Sequence, residues 1–210
     1  MSAASPFELL VLHGVRLRGF ADTLEVADRF GLDPFGTADL LTGYEQQGTV
    51  SFARFADLGG WSLTAAGRAE NERMLAAELE AADGRQEVQE VHRAFLPWNA
   101  RLVEACTAWQ LRPTDGGPVA ENDHSDARWD ARILDELTRI EHALGPIAAR
   151  LGDLLERFEG YDTRFSTALG RARDGRPAWV DGSAVESCHQ VWFELHEDLV
   201  ATLGIDRSAG

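Results

Sequence analysis

The chain has 210 residues, which suits one large domain or two small ones. Hydrophobic residues make up 44% of it, enough to build a folded core and too many for a disordered chain. Its 35 acidic residues outnumber 20 basic ones, and the net charge of −15 repels polyanions at long range, which leaves a local positive patch as the only route to DNA.

Targeting signals and membrane spans are not visible in the sequence. The N-terminal stretch MSAASPFELL lacks the basic start and apolar segment of a secretory signal, and no apolar run approaches the ~18 residues of a membrane span. Cys106 and Cys188 form neither a disulfide framework nor a CxxC pattern. We therefore expect a cytoplasmic, reduced protein with no membrane partner. Every basic residue is Arg, a composition typical of a GC-rich bacterial genome.

The first eighty residues predict three helices, a hairpin and a longer helix. Asp33 is the expected N-cap of the third helix, with Pro34 at its first position, and Thr64 is the expected N-cap of the fourth. A turn is expected at 57–60, between two alternating segments. The predicted elements are helices at 7–19, 23–30 and 34–48, strands at 49–55 and 61–63, and a helix from 65 to about 82.

Three helices followed by a two-stranded ribbon are the elements of a winged helix-turn-helix. Four segments resemble the MarR-type winged-helix regulators, within about residues 7–75: Gly31-Leu32-Asp33-Pro34, Leu40-Leu41, Glu45-Gln46-Gln47-Gly48 and residues 61–68. The resemblance implies that the third helix enters the DNA major groove and that the hairpin, the wing, reaches the minor groove or the backbone.

The third helix nevertheless lacks the cations that such helices usually present to DNA. Residues 1–75 contain six Arg and ten acidic residues, and six minus ten gives −4. DNA affinity comes mainly from neutralised phosphates, often about 6–10 of them, so donors are needed nearby. The available cations are Arg54, Arg68, and Arg16 or Arg18; the expected hydrogen-bonding residues are Thr37, Thr42 and Gln47.

The remaining residues predict an all-α bundle without strands. Asp83-Gly84-Arg85 marks the expected domain boundary, giving domains at 1–83 and 84–210. Apolar residues recur at helical spacing from Val88 to Trp109, with Pro97 expected to start a new helix or bend this one. A loop is expected at 111–128, an interruption at Gly145-Pro146, and a capping box at 183–186 that opens the last helix.

Several polar and aromatic residues of this half occupy core-facing positions. They indicate one of three things: buried groups that bond to each other and to the backbone, a small-molecule effector pocket, or a metal site. The pocket would be lined by Asn99, Trp109, Gln110, Trp129, His189, Trp192 and His196. The metal site would combine His189 and His196 with one of His92, His124 or Asp126.

The spacing of His189 and His196 favours an organic ligand over a metal ion. Seven residues along a helix separate His189 from His196 by roughly 10 Å, which one ion cannot readily bridge. An organic ligand therefore ranks above a metal, and the sequence identifies no cofactor.

Catalysis has little support in the sequence. There is no Gly-rich phosphate loop, HExxH or GxSxG motif, and the adjacent Cys188 and His189 point about 100° apart on a helix. The leading hypothesis is a non-enzymatic bacterial transcriptional regulator, a homodimer with a winged-helix DNA-binding domain and an effector-sensing helical domain. The alternatives are an adaptor that docks onto a partner protein through a third helix bearing Phe35, Asp39 and Tyr44, or a ligand- or metal-binding protein without a regulatory partner.

Overall fold

A computed structural model describes residues 2–55, 58–113 and 119–205, and this part of the chain is mainly helical. The helices are α1 (Phe7–Arg18), α2 (Thr23–Arg29), α3 (Pro34–Gln46), α4 (Ala65–Ala81), α5 (Arg85–Gln110), α6 (Ala127–Leu154), α7 (Tyr161–Arg173), α8 (Ala178–Asp181) and α9 (Cys188–Leu203). A 3₁₀ turn covers Glu156–Phe158. The strands are β1 (Val50–Phe55), β2 (Leu58–Leu63), β3 (Leu111–Arg112) and β4 (Ala120–Glu121), in two antiparallel pairs.

The chain divides into two compact units. The N-terminal unit comprises Met1–Val88, Leu154–Arg157 and Glu197–Gly210, and the helical unit comprises Gln89–Asp153 and Phe158–His196. The expected division into residues 1–83 and 84–210 is therefore corrected: two late segments belong to the N-terminal unit. None of the described helices is both long and apolar enough to cross a bilayer.

Polar caps define where the helices of the N-terminal unit begin. Asp22 and Glu25 form a capping box at the start of α2, each side chain accepting a bond from the other residue's backbone N–H, at 2.9 and 2.8 Å. Asp33 accepts from the Gly36 N–H at 2.6 Å, and Thr64 accepts from the Gly67 N–H at 3.0 Å. The predicted caps of α3 and α4 are therefore confirmed.

The hairpin is longer than expected, because β2 begins at Leu58 and pairs with β1 out to Phe55. The expected turn at 57–60 is wrong for Gly59 and Gly60, which lie in the strand, while its first residue lies outside the described residues. A Cβ at Gly59 would come within 2.8 Å of the Phe52 ring. Glycine at this position therefore allows an aromatic ring to lie across the strand.

A buried polar network connects α1, α4 and α9 inside the N-terminal unit. The side chains of His13 and Asp198 are fully buried, and His13 Nε2 lies 3.0 Å from Asp198 Oδ1. The other ring nitrogen, Nδ1, lies 3.3 Å from Asn71 Oδ1. One histidine of the first helix therefore contacts two helices that lie far from it in sequence.

Arg157 extends this network from the 3₁₀ turn. Its buried guanidinium donates to Glu78 Oε2 at 2.8 Å, to Thr202 Oγ1 at 2.8 Å, and to Asp198 Oδ1. Burial alone would raise the pKa of Asp198, but the charge of Arg157, then that of His13, holds it well below its usual range. Asp198 is therefore ionised in the folded protein at neutral pH.

The helical unit is built on two long helices that differ from the expected pattern. Pro97 lies within α5, so the alternative in which it starts a new helix is wrong. Pro146 lies within α6, so the expected interruption at Gly145-Pro146 is also wrong. Both prolines are on the exposed side, where water can bond the carbonyl that each leaves free. The sequence also predicts an apolar stripe on this helix, formed by Trp129, Ile133, Leu137, Ile140 and Leu144. Four of these five side chains are buried, and Trp129 is half-buried.

Two further expectations for this half are corrected. The predicted loop at 111–128 contains the short β3–β4 pair, and its residues 114–118 lie outside the described residues. The last helix begins at Cys188 and not within the expected capping box at 183–186, because Ser187 Oγ accepts the Gln190 N–H at 3.2 Å.

We predict that Gly67→Ala destabilises the protein by at least about 2 kcal/mol, as overpacked sites do. A Cβ at Gly67 would lie 1.8 Å from the Thr49 carbonyl oxygen, so the backbone itself must move. The matched control is Gly43→Ala in α3, where a Cβ meets nothing within 4 Å and helix propensity favours alanine. Urea unfolding followed by circular dichroism measures both. Equal stability of the two variants would contradict the packing described at Thr49.

We predict that Asp198→Asn lowers the free energy of unfolding by about 3–5 kcal/mol at pH 7, because Arg157 loses a buried partner. Since folding lowers the pKa of Asp198, its contribution is present above the unfolded pKa of about 4 and is lost as pH falls below it. The difference between wild type and variant must therefore shrink in acid. The exposed Asp28→Asn is the control, and a pH-independent difference would argue against an ionised Asp198.

Candidate functional site

The structure separates the expected DNA-binding residues of α3. Thr37 is fully buried on the inner side of the helix, so the expectation that it contacts DNA is corrected. Thr42 is exposed, but its hydroxyl donates to the Ala38 carbonyl at 2.9 Å. Gln47 is exposed at the C-cap of α3. The two positions that remain on the surface carry no charge.

The cations near α3 are few or already paired. Arg54 is exposed on β1. Arg68 is 56% exposed, with Nη1 4.0 Å from Glu197 Oε1. Arg16 is only 6% exposed and pairs with Glu72 at 3.0 Å and Glu197 at 2.8 Å. Carboxylates of the same unit therefore neutralise most of the charge of Arg16 and part of the charge of Arg68.

The outward side of α3 carries an aromatic ring and acidic groups, and we call it the α3 face. Phe35 is 82% exposed at the start of the helix, and Asp39, Thr42 and Gln46 follow it at helical spacing. Glu45 borders them, and its Oε1 accepts the Phe52 N–H from the hairpin at 3.3 Å. The α3 face thus combines one large apolar side chain with two carboxylates.

Tyr44 does not belong to this face, where the docking alternative places it. It points inward, as the apolar pattern that Tyr44 shares with Leu40 and Leu41 predicts. It is buried, and its hydroxyl donates to the Glu8 carbonyl at 3.1 Å. Burial, followed by the nearby charge of Glu8, raises the pKa of Tyr44. Tyr44 therefore belongs to the core that holds α3 against α1, with members that include Val11, Leu12, Val15, Leu41 and Trp61.

The surroundings of α3 are also acidic and apolar. On α2 and at its N-cap the exposed residues are Asp22, Leu24, Glu25 and Asp28, and Leu24 is 58% exposed. On the hairpin, Leu58 is 72% and Phe52 is 41% exposed. Single exposed apolar residues are ordinary, but several of them within one small unit are typical of an interaction surface.

The helical unit brings together three of the seven residues expected to form an effector pocket. Trp192 Nε1 donates to Asn99 Oδ1 at 3.1 Å, and the Trp192 ring stacks on Phe95 with centroids 4.6 Å apart. The His196 ring lies 5.3 Å from Phe95 and 6.1 Å from His92, whose pKa is lowered by burial. The contacts within this cluster are ring contacts and one hydrogen bond between side chains. They resemble the first of the three alternatives, polar groups that bond to each other, more than an open pocket.

The other four expected residues lie elsewhere in this unit. His189 contacts Phe193, at 6.4 Å between centroids. Trp109 and Gln110 line a surface cleft of about 470 Å³, where Gln110 Nε2 donates to Asp181 Oδ2 at 2.7 Å. Trp129 lines a separate groove, and its Nε1 donates to the Ala108 carbonyl at 2.8 Å. The single pocket expected from the sequence is therefore replaced by a packed cluster, a cleft and a groove.

The residues expected to complete a metal site have other partners. His124 Nδ1 lies 3.0 Å from Asp130, and the Asp126 side chain accepts the Trp129 N–H at 3.1 Å as an N-cap of α6. Only His92 lies beside His196. Within residues 2–55, 58–113 and 119–205, no group of three or more His, Cys, Asp or Glu side chains is placed to hold a metal ion.

The buried network of the N-terminal unit is not expected from the sequence. His13 sits in an apolar run of α1, and its partner Asp198 is 185 positions away. Neither residue has a local pattern that points to the other. A polar residue within an apolar helix face is the only signal that the sequence offered, and it does not name a partner.

Comparison with known proteins adds no functional information. No family model, no curated protein and no solved structure matches this chain. Function must therefore be argued from the chemistry of the surfaces themselves.

We predict that the two cysteines are unreactive in the folded protein. Burial, followed by the charge of Asp181, raises the pKa of Cys106 from 9.0 to about 12, and burial also raises that of Cys188. Three pKa units correspond to a thiolate fraction about 1000-fold lower at pH 8. A chromogenic disulfide reagent should label neither thiol of the folded protein within minutes. In denaturant, the same reagent should label both thiols immediately. The Cys106→Ser variant isolates Cys188, and rapid labelling of either folded protein would contradict the packing described.

Proposed function

We propose that the N-terminal unit is a winged-helix module that acts by docking onto a partner protein. The arrangement of α1, α2, α3 and the β1–β2 hairpin supports the winged-helix assignment. The observation that carries the docking function is the α3 face: the helix that would enter DNA presents Phe35, Asp39 and Glu45 and contains no Arg.

Electrostatics disfavours DNA at this surface. In a major groove, Asp39 and Glu45 would approach phosphates, which carry charge of the same sign. The repulsion between two such charges 4 Å apart is about 1 kcal/mol in water and larger where water is excluded. Arg54 and Arg68 offer two guanidiniums, and Arg68 already lies near Glu197. A protein that neutralises about 6–10 phosphates needs several more donors than this.

The same features suit a protein partner. An exposed aromatic ring such as Phe35 is an effective anchor, because burying a side chain of this size stabilises a complex by about 1.5–3 kcal/mol. Asp39 and Glu45 beside it select a pocket with Arg or Lys at its rim. We therefore expect a partner surface that combines an apolar pocket with positive charge.

A DNA-binding transcriptional regulator is the second candidate. The succession of helices and hairpin, together with the exposed Arg54 on β1 and Gln47 at the end of α3, favours it. A dimer would double this small set of donors. The cleft of about 470 Å³ in the helical unit is large enough for a small effector, as such a regulator needs.

Reversing the charge of Asp39 and Glu45 on the α3 face distinguishes protein docking from DNA binding. We predict that the wild-type protein shows no binding to its own upstream DNA at about 20 mM salt, where phosphate contacts are strongest. The double variant Asp39→Arg, Glu45→Arg should gain salt-sensitive DNA binding, because it supplies the missing cations on the same helix. Fluorescence anisotropy measures both, and a Glu80→Arg variant, exposed on α4, is the control. Tight wild-type binding would favour the regulator.

Docking onto a protein is tested with a photoreactive phenylalanine analogue, which replaces Phe35 in cells of the native host. It should yield a protease-sensitive, nuclease-resistant adduct, and the Asp39→Arg change should abolish it. The same analogue at the exposed position of Ala81 in α4 is the control. A nucleic-acid adduct, or equal adducts at both positions, would argue against a docking role for α3.

A further inference from the structure

Helix α5 has an exposed side that is almost free of charge. Between Ala94 and Leu111, Glu104 is the one charged residue among the exposed positions. Leu96, Ala100, Val103 and Thr107 follow one another at helical spacing on this side, and we call them the α5 stripe. Leu96 is 43% exposed and Val103 is 52% exposed.

The neighbouring helix shows that this pattern is unusual for this protein. Charged residues make up 26% of the whole chain. The exposed side of α6 follows that composition, and its charged members are Arg128, Arg132, Asp135, Arg139, Arg150 and Asp153. A solvent-facing stripe of about three turns that lacks such residues is typical of a surface that another chain covers.

A groove between α5 and α6 lies beside the stripe, and Glu104 borders both. Its volume is about 470 Å³, and Ala105, Ala108 and Ile133 are among its lining residues. Small side chains on α5 let another helix approach closely, at the 8–10 Å that is usual between packed helices. The groove can therefore receive apolar side chains from an approaching helix.

The rim of the groove carries both signs of charge. Arg101 and Glu104 come from α5, and Arg132 and Glu136 come from α6. Arg101 Nε donates to Glu136 Oε1 at 2.6 Å, so part of the rim is already held in place. Two positive and two negative groups leave the rim neutral, in contrast to the −15 of the chain.

We propose that α5 mediates homodimerisation, with the α5 stripe of one copy packed against the α5–α6 groove of the other. A two-fold contact needs both complementary features on one patch, and the stripe and the groove are adjacent on the same helix. Two copies that each carry −15 repel one another, so a stable contact must exclude like charges from its centre, and the stripe does so. A neutral, mixed-sign rim suits an identical chain better than the basic partner that the acidic surfaces would select.

The dimer does not depend on what the N-terminal unit binds, since every residue in this argument belongs to the helical unit. The α5 stripe supplies the apolar contact, while Glu104 and Arg132 at the rim set the register by pairing opposite charges between the two copies.

Analytical ultracentrifugation of the full chain tests this proposal. One chain has a mass of 23.1 kDa, so the dimer has twice that mass. We expect a dimer at micromolar concentration, and Val103→Glu should weaken its association at least tenfold by placing two like charges in the interface. Val119→Glu, at a valine of the same unit that is 62% exposed, is the matched control and should leave association unchanged.

Leu96→Glu provides a second disruption at the other end of the stripe, and circular dichroism with thermal unfolding establishes that each variant remains folded. A wild-type chain that is monomeric at about 100 µM overturns the proposal. So does a dimer that both stripe variants leave intact, because its interface would then lie elsewhere.

Discussion

The ion pair between Asp198 and Arg157 is the constraint on which the N-terminal unit depends. A buried carboxylate costs several kcal/mol unless its partners replace the water that it has lost. Asp198 meets Arg157 and His13, while Arg157 also reaches Glu78, so segments from α1, α4, the 3₁₀ turn and α9 must all be present together. Apolar packing alone would tolerate some sliding of these helices, whereas directional bonds between buried charges fix one arrangement.

This internal use of charge also shapes the surface. Arg157 is wholly engaged inside the N-terminal unit, and Arg16 lies largely buried between Glu72 and Glu197. Cations that serve as internal partners contribute little to the field outside, so the acidic side chains of α2 and α3 dominate there. The acidic surface is the feature on which the proposed docking to a protein partner rests.

Local chemistry made much of the fold predictable, and non-local contacts account for the failures. Asp33 and Thr64 are caps whose effect stays within four residues, so the starts of α3 and α4 could be predicted. Whether Pro97 ends or merely occupies a helix depends on which side of α5 meets solvent, which the local sequence does not define. Periodicity identifies Leu41 and Tyr44 as core-facing, but a threonine is compatible with either side of a helix, so it does not reveal that Thr37 is buried. The candidate pocket was not predictable for a related reason. Periodicity identified core-facing positions on two separate helices, Asn99 on α5 and Trp192 and His196 on α9, but it did not indicate that the Phe95 ring lies against both Trp192 and His196.

The discontinuous N-terminal unit has a consequence for biosynthesis. His13 leaves the ribosome early, but its partner Asp198 follows 185 residues later. At about 5–20 residues per second, that interval lasts on the order of 10–40 s. During this time α1 can already pack against α3, the hairpin and Asn71 of α4, but the Nε2 atom of His13 lacks its carboxylate partner. The helical unit, by contrast, has all its residues before position 197. The order of translation therefore favours folding of the helical unit before the N-terminal unit is complete. The contact between His13 of α1 and Asp198 of α9 then forms last.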